Sequence, residues 1–301
     1  FAYKYRIVII GNYMNDLDYI NTTKAKSPSQ NEIQYLSLLF SQKQFNKTLF
    51  MVNQMLKIYP KSITLLNIKA TTFSSLNEFE EAIHCYKQAL TINPNFYVAY
   101  NNLAITQYNK GDLDNAILNF HNAININPNY VDAFNNKALA LRKRGDFNLA
   151  LNDCEYVIKI CPQNAKAYNY KGLILSETNK FKDAVDNYKQ AIILDPNYSD
   201  AFNNLGVSLQ KLGNFEEAEA CFRQAINIKP DYIECHSNLL YLISISNFSH
   251  QNYHKDASSY VARIRDQTSL SFSNWSCVYH PKRLRIGFVS GDYKNHPVGY
   301  F

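Results

Sequence analysis

Long apolar runs are missing from this 301-residue sequence. The longest near the start, Ile7 to Ile10, falls far short of the ~20 residues a membrane helix needs, and no signal-peptide pattern surrounds it. A soluble, cytoplasmic protein without a membrane partner is therefore expected. Basic runs are missing too. The net charge is +6, but Lys and Arg are scattered and never gather into the patch that marks a nucleic-acid face. No nucleic-acid partner is expected. Close cysteine pairs are also lacking: Cys85, Cys154, Cys161, Cys221, Cys235 and Cys277 lie far apart, unlike a zinc site or a secreted disulfide scaffold. Around Gly11 there are no companion glycines, so residues 1–28 fit no nucleotide motif and stay unassigned.

What is present is a period. Pro60, Pro94, Pro128, Pro162, Pro196 and Pro230 are each 34 residues from the next, the spacing of a repeated pair of helices. Aligned on the prolines, the units start at Ser29, Ile63, Tyr97, Val131, Ala165 and Ser199, the first of them degenerate. A small residue recurs at position 8 (Ala70, Ala104, Ala138, Gly172, Gly206), and alanine at position 20 (Ala82, Ala116, Ala150, Ala184, Ala218). Small side chains at both places let two helices approach closely. Position 17 holds Phe79, Leu113, Phe147, Phe181 and Phe215, and position 24 holds Tyr86, Phe120, Tyr188 and Phe222, with Cys154 undersized among them. Cys85, Cys154 and Cys221 fall in the same part of the unit, as reduced cysteines packed like small apolar residues would.

Asn77, Gly111, Gly145, Asn179 and Gly213 share position 15. These residues accept the left-handed conformation that ends a helix, which predicts a tight turn there. The repeating proline lacks an N–H, and its ring clashes with the preceding turn, so it predicts the end of the second helix. These residues resemble the tetratricopeptide repeat, closely over Ile63 to Tyr232 and more weakly over Ser29 to Ser62. The resemblance implies an all-α fold, a superhelix or α-solenoid of about six repeats over 29–232.

In solenoids of that family the first helix of each unit lines the concave surface, where a ligand is read. Position 6 carries Asn102, Asn136, Asn204 and Asn238, interrupted by Tyr170; Asn101, Asn135, Asn169 and Asn203 come one residue earlier. An amide holds a donor and an acceptor, and can satisfy a peptide backbone while ignoring its side chains. The ladder Asn102, Asn136, Asn204 and Asn238 is thus the expected site for extended peptides or protein substrates. A chaperone adaptor gripping a terminal carboxylate would instead call for Lys or Arg there.

After Tyr232 the pattern starts one more first helix and then changes, so capping helices are expected over 233–266, with His250–Arg265 amphipathic. His250 and His254 are four apart, but no third ligand accompanies them, and they are read as surface histidines. The Ser-rich stretch 267–283 reads as a linker. From Leu284 the sequence runs LRIGFVSGDYKNHPVGYF, a buried strand followed by a turn. Joined to the preceding repeats, Arg285-Ile286-Gly287-Phe288-Val289-Ser290-Gly291-Asp292-Tyr293 and Asn295-His296-Pro297 resemble the opening of the catalytic region of protein O-linked N-acetylglucosamine transferases, including the bacterial and plant Spindly-like branches.

That resemblance implies the first strand, in 284–301, of a truncated α/β glycosyltransferase domain of the two-lobed GT-B-like kind. It implies transfer of N-acetylglucosamine from UDP-GlcNAc to Ser or Thr of proteins, with inversion, no cofactor and no metal. Plant relatives use GDP-fucose, which leaves the donor open. His296 matches the family's active-site histidine, as a sugar or acceptor contact or as a base near neutral pH; Asp292, Lys294 and Asn295 shape the same loop. The repeats are then a substrate-recruiting arm. The alternative is a non-catalytic repeat scaffold, or a chaperone adaptor, binding extended peptides. The chain begins at Phe1 rather than Met and stops at Phe301 inside a motif, as a fragment would. Eighteen residues are too few for one catalytic lobe, so the purified chain is expected to be inactive; radiolabel moving from UDP-GlcNAc to protein in its presence would overturn this.

Overall fold

The computed structural model describes residues 27–246 and 256–262, and among these every regular element is helical. The order is α1 (Gln30–Ser41), α2 (Phe45–Ile58), α3 (Ile63–Ser75), α4 (Phe79–Ile92), α5 (Tyr97–Lys110), α6 (Leu113–Ile126), α7 (Val131–Arg144), α8 (Phe147–Ile160), α9 (Ala165–Glu177), α10 (Phe181–Leu194), α11 (Ser199–Lys211), α12 (Phe215–Ile228) and α13 (Ile233–Ile245). Residues 256–262 form a further helical stretch. Odd-numbered helices are the first and even-numbered the second of each repeat, and every helix packs on the next in sequence. The expected strand at 284–301 and the histidines His250 and His254 lie outside the described residues.

The array opens on a capping box. Ser29 accepts from the backbone N–H of Glu32, whose carboxylate accepts from the Ser29 N–H at 2.7 Å. Each subsequent hairpin turns on a left-handed residue, with φ of 63° at Asn77, 95° at Gly111, 97° at Gly145, 60° at Asn179 and 81° at Gly213. The degenerate first repeat turns at the same place, at Lys43 with φ 59°. A side chain with a Cβ is strained there by roughly 1–2 kcal/mol, so this turn is held by its surroundings. The interrepeat prolines fall in the turns that follow the second helices.

Where position 24 is a ring, it packs against the small residue at position 8 of the same repeat. A Cβ on Gly172 would come within 2.6 Å of the Tyr188 ring, and one on Gly206 within 2.7 Å of Phe222. Those rings are at most 1% exposed. What lies above the ring then depends on its chemistry. The Tyr86 hydroxyl is 2.9 Å from Thr71 Oγ1 and is also hydrogen-bonded by Thr106 of the next repeat. The Tyr188 hydroxyl lies beside Ser176 and Ser208, whose own hydroxyls are 3.4 Å apart. Phe120 and Phe222, which need no partner, instead share apolar clusters with Ala140 and Leu242 at that position of the next repeat. At position 24 the buried phenols Tyr86 and Tyr188 thus meet hydroxyls, and the phenyls Phe120 and Phe222 hydrocarbon.

Cys154 and Tyr170 are exceptions that belong together. Both lie in one buried cluster with Ala138, Leu139, Leu141, Ala150 and Ile174. The undersized thiol leaves space that the phenol of the next repeat occupies, 6% exposed. Cys85, Cys154, Cys161, Cys221 and Cys235 form no disulfide with one another, and burial pushes the Cys154 thiol up to about 12 and that of Cys221 to about 11. Cys154 and Cys221 are therefore protonated packing groups at neutral pH.

Beyond α13, Asp256 receives a two-pronged hydrogen bond from Arg223 on α12, at 3.2 and 3.0 Å. That fork ties the following helical stretch to the last hairpin.

Two substitutions test the turn geometry. Lys43→Gly is expected to raise the urea midpoint by relieving a left-handed residue, and Gly145→Ala, where a new Cβ meets nothing within 4 Å, to cost about 1 kcal/mol from the backbone alone. Equal midpoints for wild type and both variants would contradict this account.

Candidate protein-binding face

First helices of adjacent repeats contact each other directly, while the second helices have no comparable contact. An array bends toward the row that is more closely spaced, so the first helices line its inner side. Asn residues recur there in register, at positions 5 and 6 of the repeat. Asn102 Nδ2 donates to Asn67 Oδ1 at 3.3 Å, Asn136 to Asn101 at 3.2 Å, Asn204 to Asn169 at 3.0 Å and Asn238 to Asn203 at 3.0 Å. In each case position 6 of one repeat donates to position 5 of the repeat before. Asn101 Nδ2 in turn reaches Asn102 Oδ1 at 3.4 Å, which makes a continuous relay from Asn136 through Asn101 and Asn102 to Asn67.

Position 5 also reaches forward. Asn135 Nδ2 donates to Asn164 Oδ1 at 3.4 Å, and Asn169 Nδ2 to the Tyr198 hydroxyl at 3.2 Å. Asn164 Oδ1 is simultaneously the N-cap acceptor for Ala167 N at 2.9 Å, which fixes that amide and, through it, the orientation of Asn135. The equivalent oxygens of Asn101, Asn169 and Asn203 accept from position 6 of the next repeat, but for Asn135 that position is Tyr170, which brings no amide. The Asn135 oxygen is buried without a hydrogen-bond partner. Filling the space beside Cys154 has therefore cost one staple.

The four ladder residues are not equivalent. Asn102 is 2% exposed, and both its amide groups are engaged within the relay. Asn136, Asn204 and Asn238 are half-buried; each spends one N–H on the previous repeat, leaving a second N–H and an oxygen at the inner surface. Four positions after the position-5 amides come Ile105, Leu173 and Val207, half-buried on the same helix face. Their equivalent Leu139 is covered, at 3% exposure, within the Tyr170 cluster.

Charge on this face is largely paired. Arg142 bonds to Glu177 of the next repeat, and Lys143 lies over the Tyr108 ring at 4.6 Å. Elsewhere, a cavity of about 380 Å³ opens between α4, α5 and α6. Its polar walls are bonded to each other, Lys110 to Glu80 at 2.6 Å and Asn119 to Gln107 at 2.8 Å. Among the described residues no group of three or more His, Cys, Asp or Glu is placed to hold a metal ion, and no helix is long and apolar enough to cross a membrane. His296, Asp292, Lys294 and Asn295 lie outside the described residues.

Residues 72–111, 106–145 and 172–213 match the profile of a family described as TPR repeat, and residues 199–232 match the tetratricopeptide repeat itself. Residues 72–145 and 172–232 are thus built of tetratricopeptide repeats. No curated protein sequence matches it. Among solved structures, the tetratricopeptide array is similar to the APC/C hetero-tetramer Cut9-Hcn1 at 16% identity and a TM-score of 0.63, covering 78% of this chain and 46% of that one. It is also similar to a thermophilic TPR protein from Thermus thermophilus, at 19% identity and a TM-score of 0.54, covering 61% of this chain and 100% of that one. The chain thus spans less than half the length of the first. Identities this low establish the fold alone, and the fold names no partner.

Sequence reading located the position-6 amides but missed their pairing with position 5 of the preceding repeat. The signal was a spacing of 35, one more than the period. The compensation between Cys154 and Tyr170 predicts a non-additive pair. Cys154→Phe and Tyr170→Asn are each expected to destabilise by about 1–3 kcal/mol, through overpacking and through a cavity. The double variant restores ring and staple together and should recover most of that loss. Urea unfolding giving additive effects would show the two positions to be independent.

Proposed function

We propose that this chain is a non-catalytic scaffold whose inner face holds an extended segment of another protein by its backbone. The observation that carries the reading is the row of half-buried amides Asn136, Asn204 and Asn238, already oriented by one hydrogen bond each and keeping a donor and an acceptor for a guest. Fixed side chains lose little rotamer freedom on binding, which favours recognition by preorganised amides. Backbone recognition also gives broad sequence tolerance. A clamp for a terminal carboxylate is less favoured, because Arg142 is engaged by Glu177 on the same face.

A second reading attaches this scaffold, as a substrate-recruiting arm, to a protein O-GlcNAc transferase-like enzyme. It rests on the resemblance of residues 284–301, with His296 at the sugar and acceptor end and a nucleotide sugar, UDP-GlcNAc or GDP-fucose, as donor. An open reading frame past the Phe301 codon encoding two further α/β lobes is the outcome this reading expects. An immediate stop codon would remove it.

The scaffold reading is tested by changing Asn136 and Asn204 together to Ala and titrating fluorescent extended peptides. Each amide lost removes hydrogen bonds worth roughly 0.5–1.5 kcal/mol, so affinity should fall about tenfold or more. Because both residues also staple repeats, far-UV circular dichroism must be unchanged for the comparison to count. Undiminished affinity in a folded variant would refute backbone recognition by the amides.

A further inference from the structure

We infer that the junction between the repeats of Val131 and Ala165 is a hinge at which the array opens first, latched by salt-sensitive ion pairs. The inference goes beyond the scaffold reading and does not depend on it. In a solenoid each repeat touches only its neighbours, so stability is a sum over single repeats and single junctions, and a weak member is felt where it lies. Here the repeat and the junction are both impaired.

The repeat of Val131 is the one among the five full repeats with no ring at position 24, where Cys154 stands instead. It also holds three of the four side-chain atoms that, among the described residues, are buried without a hydrogen-bond partner: Asn135 Oδ1, Arg142 Nε and Asp153 Oδ2. Each such atom has given up water without gaining a partner, a cost that disappears when the repeat opens and water returns. Asp153 has Lys137 at 3.1 Å, yet burial still pushes its carboxyl above the usual carboxylate range. The ion pair inside this repeat therefore does not offset its own desolvation.

The junction that follows lacks an amide staple. Every other pair of neighbouring first helices from α3 to α13 is joined by one, Asn102 to Asn67, Asn136 to Asn101, Asn204 to Asn169 and Asn238 to Asn203, whereas between α7 and α9 Tyr170 takes the donor's place. Asn135 adds only a long bond, 3.4 Å, to Asn164, the residue that caps α9. What crosses instead is charge: Arg142 on α7 pairs with Glu177 on α9, and Glu155 on α8 with Lys171 on α9. The two glutamates are 43% and 57% exposed, so salt screens these pairs, while neutral amide staples are unaffected. Lys110 with Glu80 and Arg144 with Asp114 cross earlier junctions, but each beside a staple. The hinge parts the inner face, leaving Asn136 on one side and Asn204 and Asn238 on the other.

Opening is read at Cys154, because its apolar cluster spans the junction through Tyr170 and Ile174. Pulsed alkylation of the whole chain with iodoacetamide, followed peptide by peptide by mass spectrometry, compares Cys154 with Cys85. Static burial favours Cys85, 4% exposed against 0% for Cys154, and so does its place nearer an end of the array, where fraying begins. The hinge reverses that order. Cys154 is expected to react about tenfold faster, the effect of one buried polar group left unpaired, and about threefold faster again in high salt as the exposed pairs are screened. Glu155→Gln with Glu177→Gln should give the high-salt rate in low salt and remove the further response. Labelling of Cys154 no faster than Cys85 overturns the hinge, and faster labelling that salt leaves unchanged overturns the latch and the inference with it. Neither outcome depends on a variant. A salt response that persists undiminished in the double variant also overturns the latch.

Discussion

The contact between a small residue at position 8 and a ring at position 24 is the constraint on which the rest of this array depends. Where the first helix carries Gly172 or Gly206, the ring sits closer than any Cβ would allow, and the two helices of the hairpin are fixed face to face. That depth decides how far the ring projects toward the next repeat and what it meets there. Tyr86 and Tyr188 meet hydroxyls, whereas Phe120 and Phe222 meet carbon. A solenoid has no central core to average over such choices, so each junction must be settled by its own few residues.

Much of this was legible in the sequence because the period repeats local chemistry. The left-handed turns at Asn77, Gly111, Gly145, Asn179 and Gly213 follow from the residue types alone, and so do the ends of the second helices at the prolines. Lys43 was not legible. Nothing in its side chain favours a positive φ, and its turn closes instead through the backbone hydrogen bonds from Lys43 N to Phe40 O and from Gln44 N to Leu39 O. The exceptions Cys154 and Tyr170 were each visible as departures from the pattern, but their common cause was not, because it lies in a shared cluster across a junction.

The inner face was legible in position but not in bonding. Counting along the repeat finds the amides and cannot say which of their groups are spent. Asn102 turns out to be consumed within the relay, while Asn136, Asn204 and Asn238 keep half their capacity. The difference arises from burial, 2% exposure at Asn102 against half-burial at the others. A residue type repeated in register thus does two jobs, joining repeats and facing a guest, in proportions set by the depth of each rung.

The shared cluster of Cys154 and Tyr170 has a consequence for how such an array can change over generations. Arrays grow and shrink by gain or loss of whole units, and most junctions here use interchangeable parts: an amide receiving an amide, a ring beneath a small residue. The junction between the repeats of Val131 and Ala165 does not. Removing either repeat alone would leave a thiol with an unfilled hollow, or a phenol without one. Duplication and deletion must carry these two repeats together, so the lineage of this chain is expected to treat them as one heritable block while their neighbours come and go singly.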